Sequence, residues 1–229
     1  MKKTIFTAAA LSLAGTAAVA NTVDFENEAP LNPDPQVISV GHTYTNGGIT
    51  FSSTEDMQLV GVGGNPTSGF VPNDTPGSSA SGPASFGEVF LTGDFIDNTD
   101  MLLSFASGIS SVSFDIVDID GGDDDIDGDN DEEQFIFTFF NGALSQAVQT
   151  ITSNDLTGSL DEAGVVSVSY AGLFDSIQIV GTTPGGTRNI GWGIDNINFE
   201  VAPVPIPAAG LLLLGALGGL GMMRRRHKA

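Results

Sequence analysis

The sequence contains no cysteine. No disulfide can staple its fold, and no thiolate can act as nucleophile or zinc ligand. An exported form must therefore be held by its core or by bound metal. Histidine is nearly as scarce, since His42 is the only one before the last three residues. A zinc centre takes three or four His, Cys, Asp or Glu ligands, so a single histidine argues against one. No Gly-x-Ser-x-Gly motif accompanies it, which removes the usual serine hydrolase arrangement, and no glycine-rich loop fits a phosphate-binding fingerprint. Positive charge is missing from the middle of the chain: of seven basic residues only Arg188 lies between residues 21 and 203. All 28 acidic residues lie there, so 28 acids against one arginine leave that stretch at −27, beyond the −21 of the whole chain. Such a surface repels nucleic acid and anionic lipid and attracts divalent cations. Adaptation to salt water, where the self-repulsion is screened, accounts for the same charge without any site.

Helix signals are also absent from the middle of the chain, with no long apolar repeat at 3.6-residue spacing. Short runs of β type recur instead, separated by Gly, Asn, Asp and Pro turns. Strands are expected at about 22–27, 48–53, 57–62, 87–92, 101–106, 109–118, 134–141, 146–152, 164–170, 174–181 and 193–201. Val112, Phe114 and Ile116 alternate with Ser113 and Asp115, the pattern of a half-buried strand. Phe135 to Phe140 is apolar at nearly every position and reads as a central strand covered on both faces. Asn65 to Gly87, with four prolines, reads as a long surface loop. The fold class expected is all-β, a jelly-roll-like antiparallel β-sandwich.

The two ends differ from this middle. Met1-Lys2-Lys3, an apolar run from Ile5 to about Ala14 and Ala18-Val19-Ala20 form the pattern of a secretory signal peptide. Cleavage after Ala20 would make Asn21 the new N-terminus. At the other end, Val204 to Met223 carries no charge, and Arg224-Arg225-Arg226-His227-Lys228 follows. Twenty uncharged residues are about the minimum for a helical membrane span, with the basic cluster on the cytoplasmic side. The expected organisation is a signal peptide helix at 1–20, a β-sandwich domain at 21–203 and a transmembrane sorting helix with basic tail at 204–229.

This C-terminal stretch resembles the PEP-CTERM group of bacterial sorting signals. Val204-Pro205-Ile206-Pro207-Ala208 matches the VPLPA-type (VPLPA-CTERM) variant, with Ile206 in place of its leucine. The resemblance covers about the last 25 residues. It implies a Gram-negative source, signal peptidase and an exosortase-type membrane protease as partners, and a cut near Val204 to Ala208. It also implies an inner-membrane stage in transit, followed by display at the cell surface or release. Hydropathy alone leaves a permanent membrane anchor open.

Two constellations bear on chemistry. The run Asp118 to Glu133 holds ten acidic residues in sixteen. Within it Asp123-x-Asp125-x-Asp127-Gly128 has the spacing of a calcium loop, in which alternate carboxylates turn inward and glycine allows the bend. Asp129, Asp131 and Glu133 extend the ligand set. Gln134 stands where an EF-hand places its bidentate glutamate, and the flanks read as strands, so this is not an EF-hand. The competing reading is a solvated acidic loop. The second constellation is Asp24-Phe25-Glu26 near the start and Gly193-Ile194-Asp195-Asn196-Ile197-Asn198-Phe199 near the end. This pairing resembles a family of exported bacterial jelly-roll domains, and MAM-type and lectin-like sandwiches whose first and last strands pair. Period-two spacing puts Asp195 on one face with Ile197 and Phe199. A carboxylate at the edge of a core needs a cation or hydrogen-bond donors, and a turn aspartate bonded to backbone amides meets the same need. Asp24 and Glu26 would help bind a cation, although spacing sets them opposite Phe25.

Sugar binding would call for an aromatic platform, with Trp192, Tyr44 and Tyr170 as candidates. Trp192 between two glycines is either exposed or closes one end of a sandwich. The leading expectation is an exported, non-enzymatic surface or matrix protein with a calcium-stabilised sandwich. The alternatives are a lectin-like module binding surface polysaccharide, and a polysaccharide-active glycosidase or lyase.

Overall fold

A computed structural model of the chain describes residues 20–28, 37–61, 89–93, 98–117, 119, 133–152, 165–182, 192–203 and 215–218. The chain divides into one unit of Val19–Ala202 and a second made of Met1–Ala18 with Pro203–Ala229. Of the second unit, the described part is Pro203 and one helical turn at 215–218. Among the described residues no helix is long and apolar enough to cross a membrane. Most of the expected span at 204–223 lies outside them.

The first unit is antiparallel β-structure. Its strands are β1 (Ala20–Val23), β2 (Val37–Asn46), β3 (Ile49–Gly61), β4 (Val89–Thr92), β5 (Asn98–Val117), β6 (Gln134–Asn141), β7 (Leu144–Thr152), β8 (Val165–Thr182) and β9 (Gly193–Val201). The first and last strands pair, with Ala20 opposite Glu200 and Val23 opposite Ile197. Gly47 and Gly48, at φ 57° and 87°, turn β2 into β3 in two residues, the backbone that a tight hairpin demands.

Three long strands change partners midway, and this folds the sheet into two layers. Residues 102–105 of β5 lie against β3, whereas residues 109–117 lie against β9. On its other edge β5 stays with β8 throughout, across a register irregularity between Ser104 and Ser111. Beyond that kink β8 passes its residues 176–182 to β6. Likewise β3 leaves β5 and meets β4 with residues 58–61. Phe114 of β5 and Phe137 of β6, whose centroids are 5.7 Å apart, meet across the two layers, as do Phe139 and Tyr170 at 4.4 Å. Phe51, Leu103, Phe114, Phe135, Phe137, Phe139 and Ile177 are fully buried between the layers. Each such side chain contributes about 1.5–3 kcal/mol of burial.

The structure departs from the expected elements in three ways. The runs at 48–53 and 57–62, 101–106 and 109–118, and 164–170 and 174–181 are single strands, because residues such as Ser107-Gly108 and Ala171-Gly172 kink the ladder without leaving it. β2 had no counterpart in the sequence reading. Gly41, at φ 76°, breaks its alternation, and the register shifts on both sides of it. β6 does lie between β7 and β8, but it is not covered on both faces: Phe135, Phe137 and Phe139 are buried, whereas Ile136, Thr138 and Phe140 are half-buried. The expected loop at 65–87 lies outside the described residues.

Candidate functional site

The outer face of the layer formed by β8, β5 and β9 is polar by alternation. Val112, Phe114 and Ile116 go to the core, which leaves Ser111, Ser113 and Asp115 on the other side. Ser113 stands opposite Ser169 on β8 and Asn198 on β9. A cleft of about 420 Å³ opens here, lined by Ser111, Ser113, Ser169, Asn198 and Glu200 together with Tyr170, and bordered by Ala20 of β1. Thr22 of β1 donates its hydroxyl to Asn198 Oδ1 at 2.7 Å, and Asn198 donates to the Asn196 carbonyl at 2.8 Å, which fixes the amide along one wall. Hydroxyl and amide groups both donate and accept, so this surface can match ligands rich in hydroxyls.

Farther along the same strands the polar face closes over. Asn196 sits at φ 52° and the register slips between Ser113 and Asp115, so one extra residue is inserted in β9. The slip sets Asp195 directly opposite Asp115. Residues opposite each other on antiparallel strands share a face, so Asp195 lies on the polar side with Asp115, not on the core side with Ile197 and Phe199. This corrects the face that simple alternation gave it. Asp195 is nevertheless 0% exposed, and among the described residues neither of its oxygens has a hydrogen-bond partner. Burial pushes its carboxyl up from 3.8 to about 9; the nearby Asn196 amide opposes the rise, and the charges of Glu26, Asp24 and Asp115 add to it. Although that amide lies close, no bond of acceptable geometry reaches either oxygen.

The neighbours are placed by local structure. After β1 the chain turns sharply, with Glu28 N–H bonded to the Phe25 carbonyl at 2.9 Å and Phe25 at φ 53°. The Phe25 ring enters the core beside Phe51 (5.7 Å) and Tyr44 (6.4 Å), and Asp24 and Glu26 flank it. Glu26 Oε1 accepts from the Val89 amide at 3.2 Å. Asp115 accepts from Ser167 Oγ at 2.6 Å and from Asn196 Nδ2 at 3.0 Å. The described residues include no lysine or arginine, so none of them supplies a balancing cation. Among them no group of three or more His, Cys, Asp or Glu side chains forms a ready-made metal cage.

Of the expected metal ligands, Asp123, Asp125, Asp127, Asp129 and Asp131 lie outside the described residues. Glu133 is 1% exposed at the start of β6 and is not among the groups acting on Asp195. Trp192 is fully buried. Its Nε1 donates to Thr99 Oγ1 at 3.1 Å and its ring lies 5.5 Å from Phe135, so it is no platform for a sugar. Tyr44 is half-buried and stacked on Phe51, and its hydroxyl donates to Glu28, which with burial holds it above the ordinary tyrosine range. Ala20 and Asn21 belong to β1, whereas Val204, Pro205, Pro207 and Ala208 lie outside the described residues. The sequence reading missed Asp115 and the cleft. The alternation of Ser111, Ser113 and Asp115 was the available signal, and the β5–β9 register was the missing one.

No family model matches the chain, and no curated protein matches it. Among solved structures, the mannan-recognising carbohydrate-binding module TmCBM27 is 13% identical, over 82% of this chain and 99% of its own, with a TM-score of 0.35. The CBM27-1 module of Caldicellulosiruptor saccharolyticus, in complex with mannohexaose, is 10% identical over 82% and 100%, with a TM-score of 0.36. The K2 cleaved adhesin domain of Lys-gingipain is 12% identical over 80% and 98%, with a TM-score of 0.38. At TM-scores below 0.5 these likenesses carry no argument about a ligand. The antiparallel all-β character stands on the strand pairings themselves.

Proposed function

We propose that this chain is an exported, non-catalytic surface module that holds a polysaccharide in the cleft across β8, β5 and β9. The observation behind the reading is the cleft itself, whose walls carry Ser111, Ser113, Ser169 and Asn198. Neighbouring strands lie about 4.8 Å apart, so hydroxyl and amide groups stand in rows at a spacing comparable to that of hydroxyls around sugar rings. Recognition then rests on hydrogen bonds, because the Tyr170 ring turns away from the polar face and stacks on Phe139 between the layers. This observation favours the lectin-like alternative over a purely structural matrix role. A hydrolase is disfavoured because the Asp195 carboxyl, whose pKa burial raises, is sealed from any substrate. The negative charge of the chain disfavours nucleic acid. Export by the 1–20 segment, sorting by 204–229 and exosortase-type processing complete the proposal, and they place the module at the surface of a Gram-negative cell.

The test is a glycan array followed by titration calorimetry on the full-length chain. Ser169→Trp fills the cleft from an exposed position. It should abolish binding without changing the melting temperature. Absence of binding to any polysaccharide, or equal binding by Ser169→Trp, contradicts the reading. Release of reducing ends from a bound polysaccharide would show an enzyme instead.

A further inference from the structure

We infer that Asp195, with Asp24 and Glu26, is a calcium site that ties the segment after β1 to the last strand. The argument begins from a side chain with nothing to bond to. Asp195 is completely buried and both its oxygens lack a donor, although buried polar groups are almost always hydrogen-bonded. Neither protonation state relieves this. Among the described residues a charged carboxylate lacks a counterion, and a neutral carboxyl still lacks an acceptor for its proton. The groups acting on it electrostatically are three more acids, Glu26, Asp24 and Asp115. Four carboxyl groups have been gathered where the described residues hold no lysine or arginine, and the one described histidine, His42, is beside Asp56.

A bound cation resolves both the empty oxygens and the repulsion. All the available donors are oxygens, which selects a hard ion. Magnesium keeps several waters and demands octahedral geometry, whereas calcium accepts six to eight protein oxygens in irregular arrangements, which suits a site closed to solvent. Asp115 is already committed to Ser167 and Asn196, so it supplies charge and holds the β9 bulge in place. Asp24 and Glu26 sit on a short turn beside the anchored Phe25 ring. The cage is not preformed among the described residues. The ion would draw the turn onto Asp195. Strand β1 pairs with β9 through only four residues, so a link at its exit reinforces the seam between the two ends of the domain.

The assignment uses no residue of the acidic run at 118–133 and does not depend on the polysaccharide reading. Thermal melting of the full-length chain, stripped with chelator and then given millimolar calcium chloride, tests it without any glycan. The wild type should gain about 5 °C or more on calcium addition. Asp195→Asn should abolish that gain while melting, metal-free, no lower than the metal-free wild type. That second reading shows the variant is folded. Combined Asp123→Asn, Asp125→Asn and Asp127→Asn should keep the gain. No calcium shift in the wild type, an undiminished shift in Asp195→Asn, or loss of the shift in the triple variant would each overturn the assignment.

Discussion

Asp195 faces Asp115 directly across the β5–β9 ladder, two carboxyl groups in register on neighbouring strands. Like charges directly opposite one another destabilise a sheet. The pair is tolerated because Asp115 is satisfied by Ser167 and Asn196, while burial keeps the Asp195 carboxyl protonated near neutral pH when no cation is bound.

The pH dependence of stability follows from this. The Asp195 carboxyl titrates near 3.8 when unfolded and near 9 when folded. Between those values the folded chain holds the extra proton, so this group's contribution is full below the lower value and is lost as pH rises toward the upper one. In chelator, the urea stability of the wild type relative to Asp195→Asn should fall between about pH 5 and about pH 8. Added calcium should reverse the trend, because the ion binds the deprotonated form. A difference that stays flat or rises with pH in chelator contradicts the assignment of the shift to Asp195.

Trp192 stabilises the fold and does not stack on ligand. Trp192→Ala should cost about 3–5 kcal/mol in urea unfolding, through lost packing on Phe135 and an orphaned Thr99 hydroxyl. Trp192→Phe, which keeps a ring, should be milder and should leave glycan titrations unchanged. Weakened glycan binding by a folded Trp192→Phe would restore it as a platform.

Two glycines on the kinked strands should respond differently to substitution. A methyl at Gly181 would stand 2.9 Å from the Phe135 ring and 2.5 Å from Thr99 Cγ2, so Gly181→Ala should destabilise by about 1–3 kcal/mol. At Gly108 the nearest atom is Leu173 Cδ1 at 3.6 Å, an ordinary contact, so Gly108→Ala should change stability little. Chemical denaturation of both variants checks the pair.

The strands were legible in the sequence because apolar and polar residues alternate, as in Val112 to Ile116 and in the last strand. What alternation cannot carry is which strands pair and in what register. Asp115 and Asp195 are 80 residues apart and meet only through a ladder that slips by one residue at Asn196. The slip changes the face of Asp195, so a correct strand still gave a wrong side. β2 was hidden for a related reason: Gly41 and the two shifts beside it erase the period that would have revealed it. The sequence left Trp192 either exposed between its small neighbours or closing one end of a sandwich; it is buried, enclosed by Thr99 and Phe135, which are distant in the chain. The Asp24-Phe25-Glu26 motif was read correctly in one respect, since Phe25 goes to the core between two acids.

The account turns on the cleft as the place where a saccharide is held. Nitrogen–proton correlation spectra of the labelled full-length chain, titrated with an oligosaccharide cut from the strongest array ligand, report that place directly. The account predicts that amide shifts concentrate at Ser111, Ser113, Ser169 and Asn198 and leave Trp192 and Thr99 unmoved. Shifts gathered on another face, or none at saturating sugar, would contradict it.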